Sequence, residues 1–209
     1  MVVQYNFRPY GLTFDNRALW ATDYDASLIW QIDPATGRQI RSIGAYAFQP
    51  IGLAFDGRTL WAADFDAKLI WQIDPATGRQ IRSIGPLTFA LRGLTFDGRA
   101  LWATDNTANL IWQIDPVTGR QIRSIGPLTF SSFGLTFDGR ALWATDLGIS
   151  FIWQIDPATG RQIRSIGPLT FNPYGLTFDG RALWAAGTYV KLIWQIDPAT
   201  GRQIRSIPV

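Results

Sequence analysis

A single 41-residue unit occurs five times in this chain and fills almost all of its 209 residues. The tract Gly-Leu-Thr/Ala-Phe-Asp begins at the same place in every copy, at Gly11, Gly52, Gly93, Gly134 and Gly175. A fixed period of this size is typical of architectures in which each unit buries its apolar surface against its neighbours. The repeat therefore constrains the fold strongly, and it bears on function where the copies differ.

The third copy contains four short segments separated by turn signals. The segments are Gly93 to Phe96, Ala100 to Thr104, Leu110 to Ile114 and Gln121 to Ile125. Alternating apolar residues in them predict β-strands rather than helices. Asp97-Gly98 and the sequence Asp-Pro-Val-Thr-Gly at 115–119 predict tight turns between the strands. Four antiparallel strands in each repeat are typical of a β-propeller blade.

The prediction is an all-β fold, a five-bladed β-propeller with four antiparallel strands per blade and pseudo-five-fold symmetry. It forms a single domain over 1–209, with blades at approximately 5–44, 45–85, 86–126, 127–167 and 168–209. The ten Trp residues, two in each copy, are expected to fill the spaces between sheets. A linear β-solenoid is the alternative, although its rungs normally lack tight two-residue hairpins.

Ring closure is predicted to need no exchanged strand. The first copy begins just before an innermost strand and the fifth ends with a fourth strand, so each blade consists of one continuous repeat. Closure then depends on packing between blades. A monomer is expected, and a larger ring built from two chains is the alternative.

Three motifs of the third copy resemble the NHL/YVTN class of propeller repeats. They are LWATD at 101–105, LIW at 110–112 and IDPVTG at 114–119. The resemblance extends over essentially the whole chain and implies the propeller fold, whereas the WD40 and kelch signatures are missing. Repeats of this class bind, catalyse or act as scaffolds, so the resemblance implies no single function.

Composition argues against catalysis and against a cofactor. The chain has no His, no Glu and no Cys, which removes the commonest general base and the commonest metal ligands. The resemblance to the NHL/YVTN class includes lyases, and an enzyme similar to them would need a His general base. A weak Asp-based hydrolase or lyase is kept as an alternative because Asp25 and Asp66 occupy equivalent loops of adjacent blades. We expect no enzyme, no cofactor and no metal site.

Charge and hydropathy give weaker indications. The net charge is +3 and the pI about 9.5, but most Arg residues recur in the repeat and are expected at a solvated edge, so nucleic acid is an unlikely partner. The first residues show no basic segment followed by an apolar core, and no apolar run reaches the length of a membrane span. A cytoplasmic location is the default expectation.

Two sets of Asp residues are predicted to have structural roles. Asp23, Asp64, Asp105 and Asp146 precede the loop after the second strand, and Gly187 takes that position in the fifth copy. Asp15, Asp56, Asp97, Asp138 and Asp179 begin a hairpin turn. In such positions a carboxylate accepts hydrogen bonds from nearby backbone N–H groups.

Differences between copies are concentrated in two windows. The first precedes the innermost strand, at 8–10, 49–51, 90–92, 131–133 and 172–174. The second joins strands two and three, at 24–27, 65–68, 106–109, 147–150 and 188–191. In an up-and-down sheet these two connections lie at the same end, and the two constant turns lie at the other. Variation confined to loops on one face of a rigid scaffold is typical of a recognition surface.

The windows contain residue types that are favoured in binding sites. The predicted ligand-binding residues are Arg8, Tyr10, Tyr24, Asp25, Phe65, Asp66, Lys68, Arg92, Asn106, Phe133, Tyr174 and Tyr189. We interpret the chain as a non-enzymatic binding module for a small ligand, a glycan or a protein. The alternative is a scaffold without a natural ligand, either designed or newly amplified, whose loops simply tolerate change.

Overall fold

The computed structural model describes residues 6–209, and this range contains twenty β-strands and no helix. The innermost strands are β1 (Pro9–Phe14), β5 (Pro50–Phe55), β9 (Leu91–Phe96), β13 (Ser132–Phe137) and β17 (Pro173–Phe178). The second strands are β2 (Leu19–Asp23), β6 (Leu60–Asp64), β10 (Leu101–Asp105), β14 (Leu142–Asp146) and β18 (Leu183–Gly187). The third strands are β3 (Leu28–Ile32), β7 (Leu69–Ile73), β11 (Leu110–Ile114), β15 (Phe151–Ile155) and β19 (Leu192–Ile196). The outermost strands are β4 (Gln39–Gly44), β8 (Gln80–Ile84), β12 (Gln121–Ile125), β16 (Gln162–Ile166) and β20 (Gln203–Pro208).

These strands form five separate antiparallel sheets, each built from four consecutive strands. The innermost strands lie side by side around an axis, and β1 contacts β17 as it contacts β5. The prediction of a five-bladed propeller is confirmed, and the open solenoid is excluded. Within residues 6–209, one chain closes the ring without lending a strand from one blade to another.

The five sheets are held together by repeated apolar clusters between blades. At the first interface, Trp20 and Ile29 of one blade pack with Leu53 and Leu60 of the next. Trp20 is almost fully buried, and removing a side chain of this size from water gives a large hydrophobic stabilisation. A cluster of the same kind, which includes Trp184, joins the fifth blade to the first. Closure therefore uses the same packing as the internal interfaces.

A ring of five glycines lets the innermost strands approach one another closely. A Cβ atom placed on Gly93 would lie 2.0 Å from the carbonyl oxygen of Phe133 in the next blade. The same collision with a neighbouring backbone carbonyl occurs at Gly11, Gly52, Gly134 and Gly175, at 2.1–2.3 Å. Since the obstacle is backbone, it cannot move aside as a flexible side chain could. The constant glycine of each repeat is thus explained by packing at the axis.

The first constant turn of each blade lies on the face opposite the variable windows and is held by an Asp side chain. Oδ1 of Asp15 accepts from the backbone N–H groups of Arg17 and Ala18, at 2.8 and 2.6 Å, and Oδ2 accepts from Nε1 of Trp20 at 2.7 Å. Each of the other four blades has the same contacts from carboxylate to indole. The structural role predicted for this Asp set is confirmed.

The other Asp set also organises loops. Oδ1 of Asp23 accepts from the N–H of Ala26 at 3.2 Å, and Oδ1 of Asp146 accepts from the N–H of Gly148 at 2.9 Å.

Within residues 6–209, no group of three potential metal ligands comes together. The same range holds no helix with the length and apolar character required to cross a bilayer.

Arginines of the outermost strands link each blade to the next. Arg41 donates from Nε to the side chain of Gln31 at 2.9 Å and from its terminal nitrogens to the carbonyls of Pro75 and Ala76 in the neighbouring turn. Its guanidinium also lies 5.2 Å from the Trp20 ring centroid. The last member of this set donates to the first blade, across the point of closure. The set comprises Arg41, Arg82, Arg123, Arg164 and Arg205.

Candidate recognition site at the channel mouth

The two variable windows lie together at one end of the propeller. Tyr10 of the first window contacts Tyr24 of the second, with ring centroids 5.4 Å apart. Tyr174 and Tyr189 are paired in the same way in the fifth blade, at 5.7 Å, and their hydroxyl oxygens are 3.2 Å apart. Side chains from the two kinds of loop therefore form one continuous surface around the axis.

An irregularity in each innermost strand helps to place these side chains. In the first blade the register between β1 and β2 shifts between Pro9 and Leu12, and the corresponding pairs of the other blades shift likewise. Such bulges bend a strand and re-aim a side chain. In the first blade the shift contains Tyr10 and Gly11. The repeat backbone thus presents one variable side chain per blade at the mouth of the channel.

The presented side chains meet across blade boundaries. Tyr10 lies edge-on to Tyr174 at 5.5 Å, and Tyr174 lies edge-on to Phe133 at 5.8 Å. The guanidinium carbon of Arg92 is 5.5 Å from the Phe133 ring centroid and 3.8 Å from that of Phe65. We refer to these side chains as the aromatic belt. It comprises Tyr10, Tyr24, Phe65, Arg92, Phe133, Tyr174 and Tyr189.

A cavity of about 380 Å³, including its open mouth, lies inside the belt. Every blade contributes three successive residues to its wall, namely a variable residue, a ring glycine and a leucine. The variable residues are Tyr10, Ile51, Arg92, Phe133 and Tyr174, and the leucines are Leu12, Leu53, Leu94, Leu135 and Leu176. The cavity is therefore an apolar well with a rim that is aromatic except for one cation and one isoleucine.

Among residues 6–209, Arg92 is the one charged residue that lines the cavity. Its Nε atom is buried and has no hydrogen-bond acceptor within the described part of the chain. Burial lowers the pKa of Arg92, while Tyr24, Tyr174 and Asp66 act through space in the opposite direction. Removing a guanidinium from water is costly unless its donors find partners. Contact with the face of Phe65 offsets part of this cost but satisfies no N–H group.

The tyrosines of the rim are neutral hydrogen-bonding groups. Burial raises the pKa of Tyr10, and the nearby Asp25 carboxylate raises it further. Burial is also the main cause of the raised pKa of Tyr174, followed by its hydrogen bond with Tyr189. Both hydroxyls therefore stay protonated well above neutral pH. That of Tyr174 donates to Tyr189, and that of Tyr10 can donate to an acceptor at the mouth.

The other predicted site residues lie around this centre. Arg8, Asp25, Asp66 and Lys68 are exposed, and Asn106 is partly buried. Arg8 and Asp25 border a separate cleft beside the closure interface, together with Lys191. Asp66 acts electrostatically on Arg92 without lining the well. Asp25 thus lines that cleft and Asp66 lines neither the cleft nor the well, although the two residues occupy equivalent loops in the sequence.

Sequence reasoning missed Ile51 and the leucine and glycine layers of the well. Ile51 occupies the same repeat position as Tyr10 and Arg92, and that equivalence was a usable signal. The leucines gave no such signal, because a constant apolar residue in an innermost strand is predicted as core. Leu12 is in fact nearly inaccessible and still forms part of the cavity wall.

Comparison with known proteins identifies the fold and no family. The structure is similar to a glutaminyl cyclase of Myxococcus xanthus, with a TM-score of 0.75 and 16% identity over 88% of this chain and 87% of that one. It is also similar to a chain of a nidogen/laminin complex, with a TM-score of 0.72 and 21% identity over 96% and 80% of the two chains. No family model and no curated protein matches the sequence. These likenesses establish the propeller fold alone.

Proposed function

We propose that this propeller is a non-enzymatic binding module whose recognition site is the aromatic belt and the well beneath it. The observation that carries the proposal is the convergence of variable side chains from all five blades on one partly exposed cavity. Tyr and Arg are the residue types that most often dominate binding energy, because they bury a large area and keep a polar tip. The constant part of each repeat supplies a rigid frame for them.

The residue types of the chain and the placement of its carboxylates support binding over catalysis. No His or Glu is present in the chain. Of the candidate carboxylates, Asp25 lines the cleft beside the closure interface, and Asp66 lines neither that cleft nor the well. The similar structures include both a glutaminyl cyclase and a chain from a complex between proteins, so propellers of this shape serve either purpose. The NHL/YVTN resemblance adds the same range of functions and does not choose between them.

Fluorine NMR on 3-fluorotyrosine-labelled protein tests the proposal directly. Of the six Tyr residues, Tyr10, Tyr24, Tyr174 and Tyr189 belong to the belt. Tyr46 provides an internal control, because it donates to the carbonyl of Gly78 in a constant turn and burial raises its pKa to about 12. Glycan, peptide and small-molecule libraries would be screened for compounds that shift the belt resonances and leave the Tyr46 resonance in place.

A double variant separates specific from incidental binding. Replacing Tyr10 and Tyr174 with Ala should abolish binding of the hits, whereas Arg99→Ala in a constant turn should leave it unchanged. Failure of all three libraries to shift any belt resonance would favour the scaffold interpretation. Hits that bind the double variant as well as the original chain would place recognition elsewhere.

A further inference from the structure

We propose that the well binds a small organic monocarboxylate, with the carboxylate on Arg92 and an apolar body directed toward the leucine and glycine layers. This inference rests on the proposed function, since it names the ligand class of the same site. It is carried by the position and the unmet hydrogen-bonding capacity of one guanidinium. The shape and lining of the well indicate the size and the apolar character of the rest of the ligand.

Arg92 differs from the five arginines of the outermost strands in its lack of partners. Arg123, for example, donates from Nε to Gln113 at 2.9 Å and from its terminal nitrogens to two backbone carbonyls. Nε of Arg92 is buried without an acceptor. Both guanidinium groups lie near aromatic rings, so stacking alone does not account for the difference. A group that accepts two parallel hydrogen bonds would complete the coordination of Arg92.

A carboxylate fits this position better than other anions. Its two oxygens match the planar fork of a guanidinium, and its single negative charge matches the single positive charge in the wall of the well. The hydroxyl of Tyr10 is available as an additional donor at the rim, whereas that of Tyr174 already donates to Tyr189. A phosphate dianion would bring a second charge with no second cation in the wall, and the Asp66 carboxylate acts on the same site.

The rest of the ligand must be compact and apolar. Below the rim the wall consists of leucine side chains and glycine backbone, and the whole space measures about 380 Å³ with its mouth included. Part of that space is open solvent, so the enclosed part of the well is smaller and admits only a small group. A phenyl ring or a short alkyl chain would be buried there, whereas a sugar would lose its hydration without finding hydrogen-bond partners.

The carboxylate could belong to a free acid or to the C-terminus of a peptide, and the size of the well favours the free acid. Phenylacetate and hexanoate would be titrated into 3-fluorotyrosine-labelled protein beside phenylacetamide, inorganic phosphate, and a Phe-terminated peptide with a free or an amidated C-terminus. Isothermal titration calorimetry would give the affinities. The acids should shift the belt resonances and leave the Tyr46 resonance in place.

Three variants assign the interaction. Arg92→Gln should weaken phenylacetate binding by at least about tenfold, because a charge-assisted bidentate pair is lost. Arg92→Lys should retain part of the affinity, since the charge remains without the fork. Arg99→Gln, in the exposed turn of the same blade, should bind as the unaltered protein does. Circular dichroism and the Tyr46 resonance would verify that each variant is folded.

The outcomes separate this inference from the proposed function. If phenylacetamide binds at the belt as tightly as phenylacetate, or if Arg92→Gln binds the acid normally, the carboxylate assignment is wrong and the binding site stands. The assignment is also wrong if neither the acids nor the peptide with a free C-terminus shifts a belt resonance while a library compound without a carboxylate does. If no probe of any class shifts the belt, both proposals fail. Binding of the free peptide and of neither acid would support the carboxylate and identify a peptide terminus as its source.

Discussion

The two ends of this propeller use the same residue types to opposite effect. At the constant end, each Arg of the outermost strands fills its hydrogen-bonding capacity with a glutamine and the carbonyls of the next blade, and each Asp of the hairpin turn holds a Trp. At the variable end, Arg92 lies over Phe65 with a buried donor that has no acceptor. The comparison teaches that the hydrogen bonds of one end hold the ring together, while the other end leaves a buried donor without an acceptor.

The largest effect is expected at the glycine ring, which both ends require. Gly93→Ala would place a Cβ 2.0 Å from a backbone carbonyl, and we expect a loss of at least about 4 kcal/mol in the free energy of unfolding. Gly98→Ala is the control, because it has open space but a φ of +94°, which should cost about 1–3 kcal/mol. Urea titration followed by Trp fluorescence measures both. Equal losses in the free energy of unfolding would show that the innermost strands pack less closely around the axis than the structure indicates.

The hairpin carboxylates should come next. Asp97→Ala removes the acceptor for Arg99 N, Ala100 N and the buried indole of Trp102, and we expect a loss of about 2–4 kcal/mol in the free energy of unfolding. Asp66→Ala, at the variable end, should change stability by less than about 0.5 kcal/mol, as exposed substitutions usually do. Chemical denaturation compares the two. Similar losses in the free energy of unfolding would contradict the conclusion that the constant end stabilises the ring more than the variable end does.

The closure interface offers a smaller and more selective test. Arg205 donates to the carbonyls of Pro34 and Ala35 in the first blade, both at 2.8 Å, as Arg123 donates to the fourth blade. Arg205→Gln and Arg123→Gln should each lower the free energy of unfolding by about 1 kcal/mol, since the contacts are exposed. A much larger effect of Arg123→Gln, seen in thermal unfolding, would mean that closure is weaker than the internal interfaces.

A modest acid sensitivity is expected from the second constant turn. The hydroxyl of Thr36 and the N–H of Ala35 hold the pKa of Asp33 below its ordinary value of 3.8. A lowered pKa stabilises the folded state above the unfolded pKa of about 3.9, and this contribution is lost as the pH falls through the folded value. Asp33→Asn should therefore show a shallower decline in melting temperature below about pH 4. Parallel curves for the two proteins would contradict this.

The protein is expected to be a monomer in solution. The contacts between β1 and β17 complete the ring within one chain, so light scattering should report about 23.4 kDa. A value near twice this would indicate that two chains associate, as the larger-ring alternative required. In that case, fluorine spectra of the belt tyrosines recorded at several dilutions would reveal whether the variable end is the contact.

The sequence predicted the strands well because the repeat aligns five independent copies of each one. β11 and β12 have the predicted bounds, whereas β9 begins at Leu91 rather than Gly93. The early start reflects the register shift beside the ring glycine, which interrupts the alternation that sequence analysis depends on. The second strand also differs by one residue at each end, since β10 runs Leu101–Asp105.

The candidate site was predictable as a surface and unpredictable as a cavity. Differences between copies located Tyr10, Arg92 and Tyr174 without any structural information. The contact of Arg92 with Phe65 and the well below it depend on how closely the blades approach, and that distance is set by the glycine ring. Spacing along the chain gives no measure of the distance between blades, so the contact and the well could not be predicted from the sequence.

Because no blade borrows a strand in the described part of the chain, every linker between sheets is an equivalent place to open the chain. A permuted gene that starts before β9 and joins β20 to β1 would encode the same five complete sheets. Whole repeats could likewise be exchanged as cassettes, each bringing its own rim residue. The residues around the channel mouth could then be changed one blade at a time, while the ring of glycines at the axis stays the same.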